Sequence, residues 1–382
     1  MSAQVPTARL AGFYFSNFLI LGLFLPFWPV YLENQGFSAV EIGELLAVML
    51  ATRIVAPNFW GWVADHQGQP VRLIQLTSVL ALVSFLPIYW GASFWHLALI
   101  LAAMGWFWNA ALPQFEVVTL QLLGQRTEDY GRLRAWGSVG FIAAVMLGGQ
   151  YLGQLGYQRM PDLVVFGLAS MIVAAFCLPK VTLPRVAKPK GHLRSVLSQK
   201  PVMALLAVIC LMQISHAVYY TFFSLWMQES GYSGKAISAF WALGVIAEIL
   251  VFWITASLLR RRSAEWLLLL SLVVTALRWQ LTAWWPDQLA VVLLAQTLHM
   301  VTYGVYHAAA IQLIHRYFRD GLEARGQGLY SSVSFGLGGA IGAYLMGHAW
   351  EGVGAEASFA IASGIALLGF VIGWLGFRPS RL

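Results

Sequence analysis

Residues Pro201 to Gln228 read PVMALLAVICLMQISHAVYYTFFSLWMQ, a run without one Asp, Glu, Lys or Arg. A helix of that length, at about 1.5 Å per residue, outreaches the roughly 30 Å hydrocarbon layer of a bilayer. In a water-soluble fold it would need apolar partners on every side. The rest of the chain cannot supply them and still face water. Of 382 residues, 59% are hydrophobic and 10% are charged, against roughly 25% charged in an ordinary soluble domain. Mean hydropathy is +0.70. The 17 Trp and 36 Gly also suit a bundle in lipid, with aromatics at the headgroups and small residues where helices meet. A transmembrane barrel is not expected, because its strands alternate in segments of about ten residues.

Just upstream, residues 179–200 hold Lys180, Arg185, Lys188, Lys190, Arg194 and Lys200 and no acid. This longest polar segment has six apolar runs on either side. The predicted spans are about 10–33, 39–61, 71–90, 94–123, 131–154, 161–178, 201–228, 235–258, 264–284, 288–317, 325–350 and 354–377. The expected fold is an all-α integral membrane protein of twelve transmembrane helices in two pseudo-symmetric six-helix bundles. Residues 1–178 form the first bundle, 179–200 a cytoplasmic basic linker and 201–382 the second bundle. The first run carries one early cation, Arg9, is broken by Pro26 and Pro29, and lacks a small-residue cleavage site. A retained helix is expected there rather than a cleaved signal peptide. Cys177 and Cys210 have no metal-ligand or disulfide spacing and read as small core residues.

Lys and Arg stay on the cytoplasmic side of a membrane. One side of the twelve-span plan collects Arg9, Arg72, Arg126, Arg132, the linker, Arg260 to Arg262, Arg316, Arg319, Arg325, Arg378 and Arg381. The other has Arg159 and Lys235 among the acids Glu33, Asp162, Glu229, Asp287, Glu351 and Glu356. Both termini and the linker are expected in the cytoplasm of a bacterial-type cell, with the chain multi-pass in its cytoplasmic membrane. The asymmetry accounts for the net charge of +7. The basic linker is short and has no interleaved aromatics, so nucleic acid is not an expected partner.

The two halves echo one another at an offset of 195 positions, which carries Gly36-Phe37-Ser38 onto Gly231-Tyr232-Ser233, Ile42 onto Ile237, Ala47 onto Ala242 and Gly131 onto Gly326. Parallel six-helix repeats are the plan of a large transporter fold whose halves rock about a site near the bilayer midplane.

A charge at the centre of a spanning helix costs at least about 2.5–3.5 kcal/mol, so such residues face a partner or a wet cavity. They are Arg53 in span 2, Glu116 in span 4, Arg134 at the start of span 5, Glu248 in span 8 and Arg278 in span 9. Asn17, His216, His299 and His307 also lie inside spans. The 195-residue offset places Arg53 opposite Glu248, as a structural pair or as two halves of a site. Three arginines against two glutamates leave one excess cation, for an anionic substrate, a backbone carbonyl, water or partial exposure of Arg134 to neutralise. Burial raises a carboxyl pKa and a nearby arginine lowers it, so Glu248 and Glu116 are the candidate proton carriers. Histidine can titrate near neutral pH, and His299 and His307 fall close together around one helix. With no carboxylate at ligand spacing beside them, neither a metal nor another cofactor is expected. No G-x-S-x-G, H-E-x-x-H or paired intramembrane Asp is present, and an enzyme is not expected.

Gly61-Trp62-Val63-Ala64-Asp65-His66-Gln67-Gly68-Gln69-Pro70-Val71-Arg72 lies between spans 2 and 3. It resembles the loop signature G-x-x-x-D-x-x-G-x-x-x-R of the major facilitator superfamily, which implies a gating role for Gly61, Asp65, Gly68 and Arg72. In the second half the equivalent Ser257 to Arg262 has lost the pattern. Four further stretches are more specific: Phe24-Leu25-Pro26-Phe27-Trp28, Asp129 to Gly140 (DYGRLRAWGSVG), Ala276-Leu277-Arg278-Trp279 and Thr297-Leu298-His299-Met300. They resemble the phenylpropionate permease branch of that superfamily, related to lactose permease, over essentially the whole chain. The resemblance implies that Glu116 and Arg134, eighteen positions apart, contact substrate. It gives Phe141 the place of a ring that stacks on sugar, and makes Glu248, Arg278 and His299 the charged set of the second half. One departure matters. Thr302 stands where lactose permease has the glutamate implicated in proton coupling, which leaves that role to Glu248 and Glu116 or to a different coupling.

The implied function is a proton-coupled symporter, working as a monomer on a small aromatic carboxylate such as 3-phenylpropionate; a sugar or nucleoside substrate is the alternative. Substrate-binding candidates are Glu116, Arg134, Phe141, Arg53, Asn17, His216 and Arg278, with Phe107, Trp108, Tyr219 and Tyr220 as further walls. Proton-coupling candidates are Glu248, Glu116, His299 and His307. The orientation is testable: alkaline phosphatase fused after Asp287 should be active in bacteria and the same fusion after Arg194 inactive. The reverse pattern would invert the topology.

Overall fold

A computed structural model describes residues 5–124, 126–182 and 192–377. Arg185, Lys188 and Lys190 of the linker, together with Arg378 and Arg381, lie outside the described residues. The described residues form helices and no strand. They are α1 (Thr7–Asn34), α2 (Ala39–Gln67), α3 (Pro70–Phe85), α4 (Phe94–Leu123), α5 (Tyr130–Leu155), α6 (Met160–Phe176), α7 (Lys200–Glu229), α8 (Gly234–Arg261), α9 (Ala264–Trp284) and α10 (Leu289–Tyr317), followed by Glu323–Gly376. That last run has 54 residues, far more than the roughly 20 a crossing needs. It breaks at Gly354, where φ is 82° and ψ 177°, giving α11 (residues 323–353) and α12 (residues 355–376). Ten segments are long and apolar enough to cross a bilayer. Counting the broken one as two and adding α2, which carries Glu41, Glu44 and Arg53, gives the twelve expected spans.

The repeat is physical as well as textual. α1 ends where Phe37 N–H donates to the Leu32 carbonyl at 3.2 Å, and α7 where Tyr232 N–H donates to the Met227 carbonyl at 3.0 Å. Both turns need a left-handed residue, and Gly36 (φ 88°) and Gly231 (φ 87°) supply it without a Cβ clash. The next helix then starts on a serine cap. Ser38 Oγ accepts from Glu41 N–H, and Ser233 Oγ accepts from Ala236 N–H, each at 3.3 Å. All of these atoms correspond at the 195-residue offset.

Two compact units result: Met1–Phe37 with Val55–Val186, and Ser38–Ile54 with Ala187–Leu382. The division runs through α2. In the first unit α1 packs on α5 and α6, and α3 on α4 and α6. A Cβ at Gly140 would run into the Phe15 carbonyl, and one at Gly22 would sit 2.7 Å from the Phe141 carbonyl. The α1–α5 crossing is therefore a backbone-to-backbone contact. In the second unit α7 packs on residues 332–376 and α9 on α10. Its apolar core includes Leu205, Val208, Ile209, Met212, Leu267, Leu268, Leu272, Ala309, Leu313 and Ile314. The first half of α2 joins this unit: Val40 N–H donates to Glu351 at 3.0 Å, and Ser332 Oγ donates to the Ile54 carbonyl at 3.2 Å.

Large apolar side chains face outward, among them Trp90 (81% exposed), Trp253 (79%) and Trp95 (76%), as expected of surfaces against lipid and headgroups. Cys177 is exposed beyond the end of α6 rather than in the core, while Cys210 is half-buried. The expectation failed for Cys177 because an apolar run does not reveal where its helix leaves the bundle.

Helical regularity breaks where the chemistry lies. Pro57 has no N–H for the carbonyl of Arg53 four residues back. Met300–Val305 and Ser332–Gly338 widen into π turns, a feature that recurs at functional sites. Enlarging Gly140 to Leu should wedge α1 from α5. Overpacking of this kind costs about 1–3 kcal/mol, so the purified variant should melt several degrees lower, whereas a surface change such as Gly12→Leu should leave the melting temperature unchanged.

Candidate functional site

The second unit is organised round Arg278, on α9 and with 0% of its surface exposed. A guanidinium carries five N–H donors and no acceptor. Nε donates to the Ala295 carbonyl at 2.7 Å, one Nη to His299 Nδ1 at 3.0 Å and Thr302 Oγ1 at 3.1 Å, and the other to Gln296 Oε1 at 3.4 Å. Two aromatic rings also lie against it: Cζ is 4.4 Å from the Tyr219 ring centroid and 4.7 Å from that of Trp279. Tyr219 donates to the same Gln296 oxygen at 2.9 Å. Arg278 is thus held by α9, α10 and α7 together.

From this cation a chain of contacts leads to the carboxylate expected nearby. A neutral His299 whose Nδ1 accepts from Arg278 carries its proton on Nε2, and Nε2 stands 3.8 Å from Glu248 on α8. His216 lies beside the cluster, edge-on to Trp279 with centroids 5.0 Å apart. Its Nδ1–H donates to the Met212 carbonyl at 2.9 Å. His216 Nε2 and Gln296 Nε2 are buried without a hydrogen-bond partner among the described residues.

Along α10 the rings of His299, Tyr303 and His307 stack in file. Adjacent centroids are 5.4 and 6.0 Å apart, with planes within 11° and 8°. In an ideal α-helix each step of four residues drifts by about 40°. The π turn over Met300–Val305 has a smaller rotation per residue and removes that drift. His307 Nδ1 pairs with the Tyr330 hydroxyl at 2.8 Å. Tyr330 meets Phe335 edge-on at 5.7 Å, and the Arg53 guanidinium lies 5.7 Å from the Phe335 ring centroid.

The first unit holds a second constellation. Glu116 on α4 accepts from the Tyr130 hydroxyl at 3.3 Å and is in electrostatic reach of Arg134. The Arg134 Cζ lies 3.9 Å from the centroid of Phe18 and 5.7 Å from that of Tyr14. Asn17 accepts from Trp108 Nε1 at 3.1 Å. Phe141 is buried where α5 crosses α1, and Phe107 packs near Trp60 at 5.9 Å.

The structure therefore gathers Glu116, Arg134 and Asn17 with the aromatics of α1, α4 and α5, and Arg278, His299, Glu248 and His216 round α9. Arg53 and His307 meet through Phe335 and Tyr330. The Gly61–Arg72 signature forms the end of α2, a turn with Gly68 at φ 66°, and the start of α3. Asp65 and Arg72 are exposed on either side of that turn. Tyr14, Phe18, Tyr130, Gln296, Tyr303, Tyr330 and Phe335 were not singled out by the sequence. Tyr303 had one available signal, its place four residues from both His299 and His307.

The profile of the MFS_1 like family matches residues 7–361. A protein of Escherichia coli (strain K12) described as "Probable 3-phenylpropionic acid transporter" is 32% identical over 361 residues, covering 91% of this chain and 92% of that one. Maltose permease of Geobacillus stearothermophilus is 26% identical over 348 residues, covering 89% and 87%. The crystal structure of the nucleoside transporter NupG superposes with a TM-score of 0.81 at 15% identity, over 98% of this chain and all of that one.

The Arg278 bonding predicts its own fragility. Lysine has three donors and no planar group for the two rings. Arg278→Lys should leave at least one buried acceptor unpaired, at about 1–3 kcal/mol. A drop of about 3 °C or more in the melting temperature of the purified protein is expected; no change would deny Arg278 its structural role.

Proposed function

The chain belongs to the MFS_1 like family of membrane transporters, and from that premise we propose that it is a proton-coupled symporter of a small aromatic carboxylate, 3-phenylpropionate being the type. It is a multi-pass membrane protein that carries small molecules, not an enzyme. Substrate, coupling and placement are the proposal: alternating access in a bacterial-type cytoplasmic membrane, both termini inside, as a monomer. The observation that carries it is the Arg278–His299–Glu248 chain, its arginine and histidine buried, in a sequence 32% identical to a protein described as a phenylpropionic acid transporter.

Glu248 is the proton carrier in this reading. His299 cannot take a second proton without giving up its bond from Arg278 and facing that cation as a cation itself. Thr302 accepts from Arg278 and has no exchangeable charge. Glu248, one imidazole away, can bind and release a proton as Arg278 and His299 shift. Glu116 is the equivalent group of the first unit, with Arg134 as its cation and Asn17 on α1 and Phe141 on α5 as the wall. The Gly61, Asp65, Gly68 and Arg72 turn is the proposed gate element at the cytoplasmic face.

A sugar or nucleoside remains the second reading, favoured by two features. Glu116 and Arg134 are retained, and the donor Gln296 Nε2 and acceptor His216 Nε2 suit a hydroxylated neutral solute. Uptake of labelled 3-phenylpropionate, maltose and uridine into vesicles, with and without an inward proton gradient, separates the two. Glu248→Gln should abolish gradient-driven accumulation and leave substrate counterflow measurable. Each charge moved is worth about 2.3 kcal/mol per 100 mV, so loss of coupling removes accumulation of tens of fold. Unchanged accumulation would take the proton from Glu248.

A further inference from the structure

Among the described residues, every hydrogen-bond acceptor of Arg278 is neutral: the Ala295 carbonyl, the Gln296 amide, the His299 imidazole and the Thr302 hydroxyl. All four come from one stretch of α10, and none cancels the charge it holds. Gln296 stands out among them. A guanidinium only donates, so the atom 3.4 Å from Arg278 is the amide oxygen, and Tyr219 donates to that same oxygen at 2.9 Å. The Tyr219 ring lies 4.4 Å from the Arg278 Cζ, so one oxygen bonds the cation and ties down the ring beside it. The amide nitrogen is then turned away from both. Gln296 is buried, and its Nε2 has no partner among the described residues. An unmet buried donor is destabilising. A glutamate of the same shape would accept both bonds, remove that donor and complete an ion pair with a cation already buried. The chain carries the amide instead.

Gln296 also stands beside the start of the proton-carrying chain. Gly244 on α8 backs it and His299 alike: a Cβ there would lie 3.5 Å from Gln296 Oε1 and 3.5 Å from His299 Cδ2. Glu248 is one helical turn further along α8, its carboxylate 3.8 Å from His299 Nε2. The charged and titratable groups around Gln296 and Glu248 are His216, Tyr219 and Tyr220 on α7, Arg278 on α9, and His299 and Tyr303 on α10. Glu248 is the acid among them.

We propose that Gln296 is a positioning residue of the proton pathway: its amide fixes Arg278 and Tyr219 without cancelling the arginine's charge, and so leaves that charge to act on Glu248 through His299. The inference rests on the proton-coupled reading above, with Glu248 as the carrier. An acid at position 296 would cancel the charge at its source, and a carboxyl freed from a nearby cation keeps its proton to higher pH. Stability and coupling therefore make opposite demands on this one side chain.

The test compares full-length wild type, Gln296→Glu and Gln296→Met, purified for melting and in proteoliposomes for uptake. The solute is whichever of labelled 3-phenylpropionate, maltose and uridine the wild type accumulates. Gln296→Glu should melt at or above the wild-type temperature and move the pH of half-maximal gradient-driven uptake upward by about one unit. Gln296→Met removes the acceptor and adds no charge. It should melt about 3 °C or more lower and leave that pH in place. A Gln296→Glu protein that melts well below wild type, or keeps the wild-type pH profile, would overturn the positioning role and leave Glu248 as carrier. So would a shift in Gln296→Met as large as that in Gln296→Glu. A Glu248→Gln protein that accumulates solute with the wild-type pH profile, or a wild type that accumulates none of the three, would overturn the proton-coupled reading and this inference with it.

Discussion

A guanidinium cannot be buried in a bilayer protein unless the protein itself satisfies its donors, and Arg278 shows what that demands. Its partners come from the Ala295 carbonyl, Gln296, His299 and Thr302 on α10, and the rings of Tyr219 on α7 and of its neighbour Trp279 lie against it. Breaking any one of these leaves a polar group in a medium that offers no substitute. Three helices are therefore fixed in mutual rotation by one side chain. The apolar core of the second unit packs these same helices, but apolar packing alone tolerates sliding, and the cation removes that freedom. His299 is oriented by the same network, which is why its Nε2 faces Glu248 rather than a neighbour on its own helix.

The first unit meets the same problem differently. Arg134 is covered mainly by aromatic faces, Phe18 and Tyr14, and its acid partner Glu116 is bonded by Tyr130. Cation–π contacts hold a guanidinium without using its donors. The two units share a backbone plan down to the Gly36 and Gly231 turns and the Ser38 and Ser233 caps. They differ in how each covers its arginine, by bonds to its own chain in one and by aromatic rings in the other.

Much of the scaffold was legible in the sequence because lipid imposes a coarse rule. Twelve apolar runs became helices, and the charges that broke the rule, Glu116, Arg134, Glu248 and Arg278, became the centres of the two constellations. Arg53 was legible as an anomaly but not in its surroundings. Its neighbour Phe335 comes from a helix far along the chain, and a lone aromatic in an apolar run looks like packing. Tyr303 joined the file because of a π turn, which no periodicity of 3.6 foretells. The division through α2 was equally hidden: the glycines that let its first half pack on the second unit, such as Gly43 against Gly347, look like any others in a glycine-rich chain. Gln296 escaped notice for a different reason. An uncharged amide carries no hydropathy alarm, yet its oxygen accepts from both Arg278 and Tyr219.

In the proton-coupled reading proposed above, Thr302 leaves the role of proton carrier to another residue. A carboxylate there would sit against Arg278 and share its charge. A hydroxyl accepts one bond and returns none of the charge, so Arg278 stays a net cation whose field is felt next by His299 and then by Glu248. The imidazole cannot answer that field by ionising, because a second proton would place two cations 3.0 Å apart. The nearest group able to answer is Glu248, at 3.8 Å from the imidazole. In the same proton-coupled reading, movement of α8 against α10 and proton binding at that carboxyl are two readings of one equilibrium, without a dedicated acid at position 302.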